Sequence, residues 1–205
     1  MLNRLRRSRS GSRDAGYSLV EMLVVVVILG VVSAVVSAAI ISSLRVQQVT
    51  ESNVTSMAGA RTAIERMSRD IRTANPLRTA EANVISFDMY YGTRCERRTY
   101  SVVAGSIVLS RAQFAAGVRC GAPGAVPGAA TTSTVIEDVT NTTAAPLFRY
   151  YRWDTATKTR VESTAPVTVG LTSVDTVRIN ALVSALRQGD VGVQALVDLR
   201  NVEIK

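Results

Sequence analysis

The sequence contains no histidine. Ser-His-Asp and Cys-His nucleophile systems, His-ligated zinc and haem held by a proximal His are thereby excluded. Cysteine is scarce, with two in 205 residues, too few ligands for a thiolate metal site. Three Phe and one Trp leave little material for a platform that stacks nucleic-acid bases, although six Tyr remain. Lysine is almost missing: 22 of the 24 basic residues are Arg, a bias closer to genome composition than to function. No phosphate-binding Gly loop, catalytic constellation or internal repeat occurs. The chain is therefore expected to be no enzyme and to carry no metal or cofactor.

What is present is strongly ordered along the chain. Residues 1–16 hold Arg4, Arg6, Arg7, Arg9 and Arg13 against Asp14 alone, half of the formal charge of +8. From Met22 to Leu44 there are 23 consecutive residues without a charge. As a helix this run is roughly 34 Å long, enough to cross a bilayer core of about 30 Å. The basic flank predicts a single pass with the N-terminus in the cytoplasm and the rest outside the cytoplasmic membrane. Glu21 stands at the mouth of the run. A carboxylate there is costly unless it stays at headgroup level or has a function.

The junction reads Gly16-Tyr17-Ser18-Leu19-Val20-Glu21-Met22-Leu23. It closely resembles the class III signal of type IV prepilins and type II secretion pseudopilins. The resemblance implies that a membrane aspartyl peptidase cuts after Gly16 on the cytoplasmic side. It implies that the new terminus, Tyr17, is N-methylated, and that Glu21 fills the family's glutamate position. Tyr17 departs from the usual Phe, and Ser18 from a common Thr. Glu21 would accept the N-terminal ammonium of a neighbouring subunit, two charges tolerable in an apolar filament core only as a pair. The partners implied are the prepilin peptidase and methyltransferase, other pilins or pseudopilins, and the inner-membrane assembly platform. An ordinary secretory signal, cut after Ala39 with Ser37 and Ala39 as its small residues, is the competing reading. The apolar stretch is too long for it, and the helical pattern continues beyond.

From residue 57, Met57, Ala60, Ile64, Met67, Ile71 and Ala74 are spaced 3, 4, 3, 4, 3. This is one apolar stripe on a helix whose other faces carry Arg61, Glu65, Arg66, Arg69, Asp70 and Arg72. Glu65 with Arg69 and Arg66 with Asp70 stand four apart and are expected to pair weakly on a solvated face. Asn75-Pro76 ends the pattern. The spacing predicts one helix from about Tyr17 to Ala74, apolar all round in its first half and amphipathic in its second. Residues 45–56, polar and β-branched, are where it is expected to kink or loosen. Asp70-Ile71-Arg72-Thr73-Ala74 looks like the Asp-apolar-Arg-x-Ala helix end of minor pilins and minor pseudopilins. Asp198-Leu199-Arg200-Asn201 is similar to a last-strand feature of minor pilins.

Beyond Pro76 the signals become strand-like, over 83–91, 99–104, 106–110, 135–139, 147–153, 174–183 and 193–204. Val177, Ile179, Ala181 and Val183 alternate with Thr176, Arg178, Asn180 and Leu182, as in a half-buried strand. Ala104-Gly105-Ser106 reads as a hairpin turn. Residues 121–134, rich in Gly, Pro and Thr, read as a surface loop. Cys95 and Cys120 both fall in the part expected outside, where an even pair favours a disulfide over two free thiols. Arg94, Arg97, Arg98, Arg111 and Arg119 form a basic cluster in sequence, read as solvated surface with DNA or acidic partners as the alternative. Asn53-Val-Thr55 and Asn141-Thr-Thr143 match the glycosylation triplet by chance.

These readings combine into an α+β chain: a leader (1–16), an apolar membrane or filament-core helix (17–44), its amphipathic continuation (45–76) and a β-rich extracytoplasmic domain (77–205) laid on the helix. The expected function is that of a minor structural or assembly subunit of a type IV pilus or type II secretion pseudopilus. The alternatives are a pilus-tip or competence module binding DNA or surfaces, and a plain single-pass anchored domain.

Overall fold

No Gly or Pro interrupts the chain between Val31 and Ala58, so nothing removes a donor from the helical ladder there. In the computed structural model, which describes residues 18–168, 170–185 and 189–199, helix α1 runs from Leu19 to Arg72. The expected loosening over 45–56 does not occur: the segment is helical throughout. Polar and β-branched residues cost only tenths of a kcal/mol each in a helix, too little to break it. The last turn tightens as Thr73 N–H donates to the Asp70 carbonyl at 3.1 Å and Ala74 N–H to that of Ile71 at 3.0 Å.

The chain divides into two compact units, Met1–Gln48 and Val49–Lys205. In the first, the described residues from Leu19 onward are helix alone. Among the described residues, the second holds the remainder of α1, nine strands and a short 3-10 turn, Leu171–Ser173. Strands β1 (Leu77–Ala80), β2 (Val84–Tyr91), β3 (Arg94–Val103), β4 (Ser106–Gln113) and β5 (Ala130–Ile136) form an antiparallel meander in that order. Strands β6 (Phe148–Asp154), β7 (Thr159–Ser163), β8 (Val174–Ala185) and β9 (Gly189–Asp198) form a second antiparallel sheet of order β7-β6-β8-β9. The fold is α+β, as the periodicities predict.

The strands lie in two sheets. The segment after β5 explains the division. Val139 bridges Val183, Thr140 N–H donates to the Leu182 carbonyl, and Ser184 N–H donates to that of Asp138. Asn141 locks this path: its amide donates to the carbonyls of Ala145 and Asn180, and its Oδ1 accepts from Leu182 N–H. The chain is thus committed to β8 before β6 begins. The expected loop over 121–134 is also shorter, since Ala130–Thr134 pair with Val108–Ala112. Strands β1 and β7, four and five residues long, are too short to show a period and gave no sequence signal. At the hairpin between β3 and β4, Ala104 and Gly105 both take positive φ, 48° and 75°, the twist that a two-residue turn needs.

One core joins the helix to both sheets within the second unit. Five of the six stripe residues are buried, Met67 and Ile71 fully, with Met57 half-exposed at the margin. Burying each large side chain of this kind stabilises the fold by about 1.5–3 kcal/mol. The stripe meets Ile85 and Phe87 of β2, Tyr100 of β3 and Leu109 of β4, while β6 and β8 contribute Phe148, Tyr150 and Ile179.

Candidate functional site

The chemistry at the start of α1 is sparse and specific. Ser18 lies just outside the helix, and its carbonyl accepts from the N–H groups of Glu21 at 2.9 Å and Met22 at 3.2 Å. Glu21 therefore sits in the first turn, where the helix dipole favours a carboxylate. It has no ion-pair partner among the described residues. Gly16 and Tyr17, the sequence-predicted cleavage and methylation positions, lie outside the described residues, as do Arg200 and Asn201.

Leu19–Gln47 forms 29 residues of helix whose most apolar 18-residue stretch has a mean hydropathy of 3.0, none of it buried. Its Val, Leu and Ile side chains are exposed on every face rather than along one stripe. A helix apolar all round needs a membrane or other helices around it. At about 1.5 Å per residue it is long enough to span a bilayer core.

A second constellation lies at the other end of α1. In β3 the even-numbered residues face the helix, so Glu96, Arg98 and Tyr100 point into the core side by side. Arg98 is only 4% exposed, and its buried guanidinium requires acceptors. Its Nη1 donates to Asp70 Oδ2 and its Nε donates to Glu96 Oε1 at 2.7 Å. The Tyr100 hydroxyl donates to the same Asp70 oxygen at 2.6 Å. Burial pulls the Arg98 guanidinium down, but the bonds to Glu96 and Asp70 outweigh it and hold it above its ordinary value. Burial, then the bond to Asp70, pushes the Tyr100 hydroxyl well up.

The opposite face of the same sheet holds a separate pair of bridges. Asp88 is fully buried and accepts from Arg97 Nε at 2.8 Å and Arg78 Nε at 2.8 Å. Arg97 also lies 5.3 Å over the Phe114 ring. Cys95 and Cys120 are joined as a disulfide across the segment that leads from β3 past β4, and Cys120 N–H donates to the Tyr90 hydroxyl.

Two sequence readings are corrected here. Arg97 and Arg98 are not a solvated basic surface, because buried carboxylates neutralise both. Asp70 does not pair along the helix with Arg66; it turns inward to β3. The signal was present but weak: Asp70 lies three residues after Met67 and beside Ile71, at the edge of the buried stripe. The sequence-predicted residues do not converge on one place. Glu21 marks one end of α1, Asp70 lies near its other end, and the disulfide braces the first sheet.

Residues 11–37 match the family model described as the prokaryotic N-terminal methylation motif. That segment includes Gly16, Tyr17, Glu21 and about the first two thirds of the apolar run. The chain thus carries a prepilin-type signal of the type IV pilin and pseudopilin kind, followed by a helix fit for membrane anchoring. No curated protein matches the sequence.

Proposed function

We propose that this protein is a minor structural and assembly subunit of a type IV pilus or a type II secretion pseudopilus, and not an enzyme. The observation that carries the reading is α1 itself: apolar on every face over Leu19–Gln47, opened by Glu21, and matched by the methylation motif. The leader holds the N-terminus in the cytoplasm, where the prepilin peptidase removes residues 1–16 and the methyltransferase modifies Tyr17. The apolar helix keeps the subunit in the membrane until it moves sideways into a filament core of like helices. There Glu21 accepts the ammonium group of a neighbour, which sets axial register as much as it adds stability. The inward-turned Asp70, within the Asp-apolar-Arg-x-Ala helix end, supports the minor-subunit form of this reading.

Mass spectrometry of the N-terminal peptide of membrane-extracted protein tests the proposal. A terminus at methylated Tyr17, lost when the host's prepilin peptidase is deleted, is the expected result. An uncut Met1 would make the chain a plain anchored domain, and Ile40 would make it an ordinary secreted one. Deleting the gene then separates the two machines, through loss of surface filaments or loss of exoprotein release.

A further inference from the structure

A groove of about 580 Å³ lies between one flank of α1 near its end, beside the buried stripe, and strand β9. Four consecutive strand residues, Val193–Leu196, line it. Successive side chains point to opposite faces of a sheet, so a wall made of consecutive residues is a strand seen edge-on. Strand β9 is indeed the last in its sheet. Leu199 N–H donates to the Asp175 carbonyl, and the β8–β9 register runs without a shift from Thr176–Asp198 to Ala185–Gly189. Bonded pairs alternate in an antiparallel ladder, so the odd-numbered residues of β9 bond β8. The N–H and C=O groups of Gly192, Gln194 and Leu196 point away from β8.

Among the described residues no strand pairs with this edge. Between Asp190 and Asp198 it carries no charge and no proline, the devices that usually keep a free edge from pairing. Leu196 is 52% exposed beside it. The helix wall opposite is cationic: Arg61, Arg69 and Arg72 line the groove against Glu65 alone. None of the three arginines has an ion pair among the described residues. The Ser68 hydroxyl between them is buried and has no hydrogen-bond partner among the described residues. From Arg61 to Arg72 the helix rises about 16 Å, the length of about five extended residues.

We infer that this groove receives an extended acidic segment of a partner protein, added as a further strand on β9. The main chain of the segment pairs with Gln194 and its neighbours, and its carboxylates reach Arg61, Arg69 and Arg72. Strand addition supplies affinity through main-chain hydrogen bonds, and the arginines supply the choice of sequence. The site lies wholly within the second unit, so the inference stands independently of how the leader is processed.

The test uses the full chain in detergent and a fluorescein-labelled heptapeptide that alternates glutamate with valine, followed by fluorescence anisotropy. Saturable binding that weakens with salt is expected, with at least tenfold weaker binding of a lysine–valine peptide. Arg61→Glu with Arg69→Glu is expected to weaken the acidic peptide at least tenfold, and Gln194→Pro, which removes an outward N–H without touching the β8 ladder, to do the same. Far-UV circular dichroism identical to that of the unaltered protein shows that each variant is folded. Absence of saturable binding overturns the inference, as does equal binding of the lysine peptide or unchanged binding in either folded variant. Salt-insensitive self-association of the protein that blocks the peptide also overturns it, by making a second copy the occupant.

Discussion

Asp70, in the last turn of α1, accepts hydrogen bonds from both Arg98 and Tyr100 of β3 on a single carboxylate oxygen. Three polar groups that would be costly to bury separately are thereby buried together. The contact ties the end of the helix to the middle of the first sheet, 28 residues further along the chain.

Removing one partner should therefore be expensive. Asp70→Ala leaves Arg98 with Glu96 alone and the Tyr100 hydroxyl without its acceptor. A loss of about 3–5 kcal/mol is expected, as for other broken buried ion pairs. Arg98→Met should cost a similar amount by exposing two carboxylates to an apolar site. In a double-mutant cycle followed by urea unfolding, the pair together should lose less than the two losses added. Strict additivity would mean that the two side chains do not interact.

Alkaline pH should weaken the fold through its buried tyrosines. Tyr100 and Tyr150 are both held above their ordinary value of 10.0, chiefly by burial. The folded state then keeps protons that the unfolded chain releases. This contribution is complete below pH about 10 and is lost as the pH rises above it. The slope reaches about 1.4 kcal/mol per pH unit for each tyrosine. Urea midpoints measured from pH 9 to 11.5 should fall beyond 10, and Tyr100→Phe should flatten the decline.

The Cys95–Cys120 bond closes a loop with a sequence separation of 25. Restricting the unfolded chain over that length stabilises the fold by about 3 kcal/mol in the chain-entropy description. Replacing both cysteines with alanine should lower the urea midpoint accordingly, while circular dichroism keeps its native shape. An unchanged midpoint would locate the bond's value elsewhere than in stability.

Glu21→Ala should separate processing from assembly. The cut after Gly16 is expected to proceed normally, with weakened recovery of the subunit in sheared, pelleted filaments. Normal recovery would remove Glu21 from the proposed pairing with a neighbour's ammonium group.

The organisation of the chain is largely legible in its sequence. A run of 23 uncharged residues and a 3, 4, 3, 4, 3 stripe are local periodicities, and α1 follows both. Six strands gave alternating or apolar runs, and the turn at Ala104-Gly105 announced itself by composition. Strands β1 and β7 were missed because strands of four or five residues owe their existence to a neighbour's ladder and not to a pattern of their own. Ala130–Thr134 was hidden by the Gly- and Pro-rich stretch before it.

The roles of Asp70, Arg97 and Arg98 were misread for a different reason. Charged residues on a helix or strand look solvated until the fold says which side chains face inward together. By itself the sequence determined the N-terminal methylation motif, the apolar helix, the position of Glu21 and the α+β class, because each depends on residues close along the chain. Tertiary structure decided the division into two sheets, the burial of Arg98 against Asp70, and the open edge of β9 beside three arginines. Those depend on desolvation and on pairings between distant residues, whose energies exist only once the chain has closed on itself.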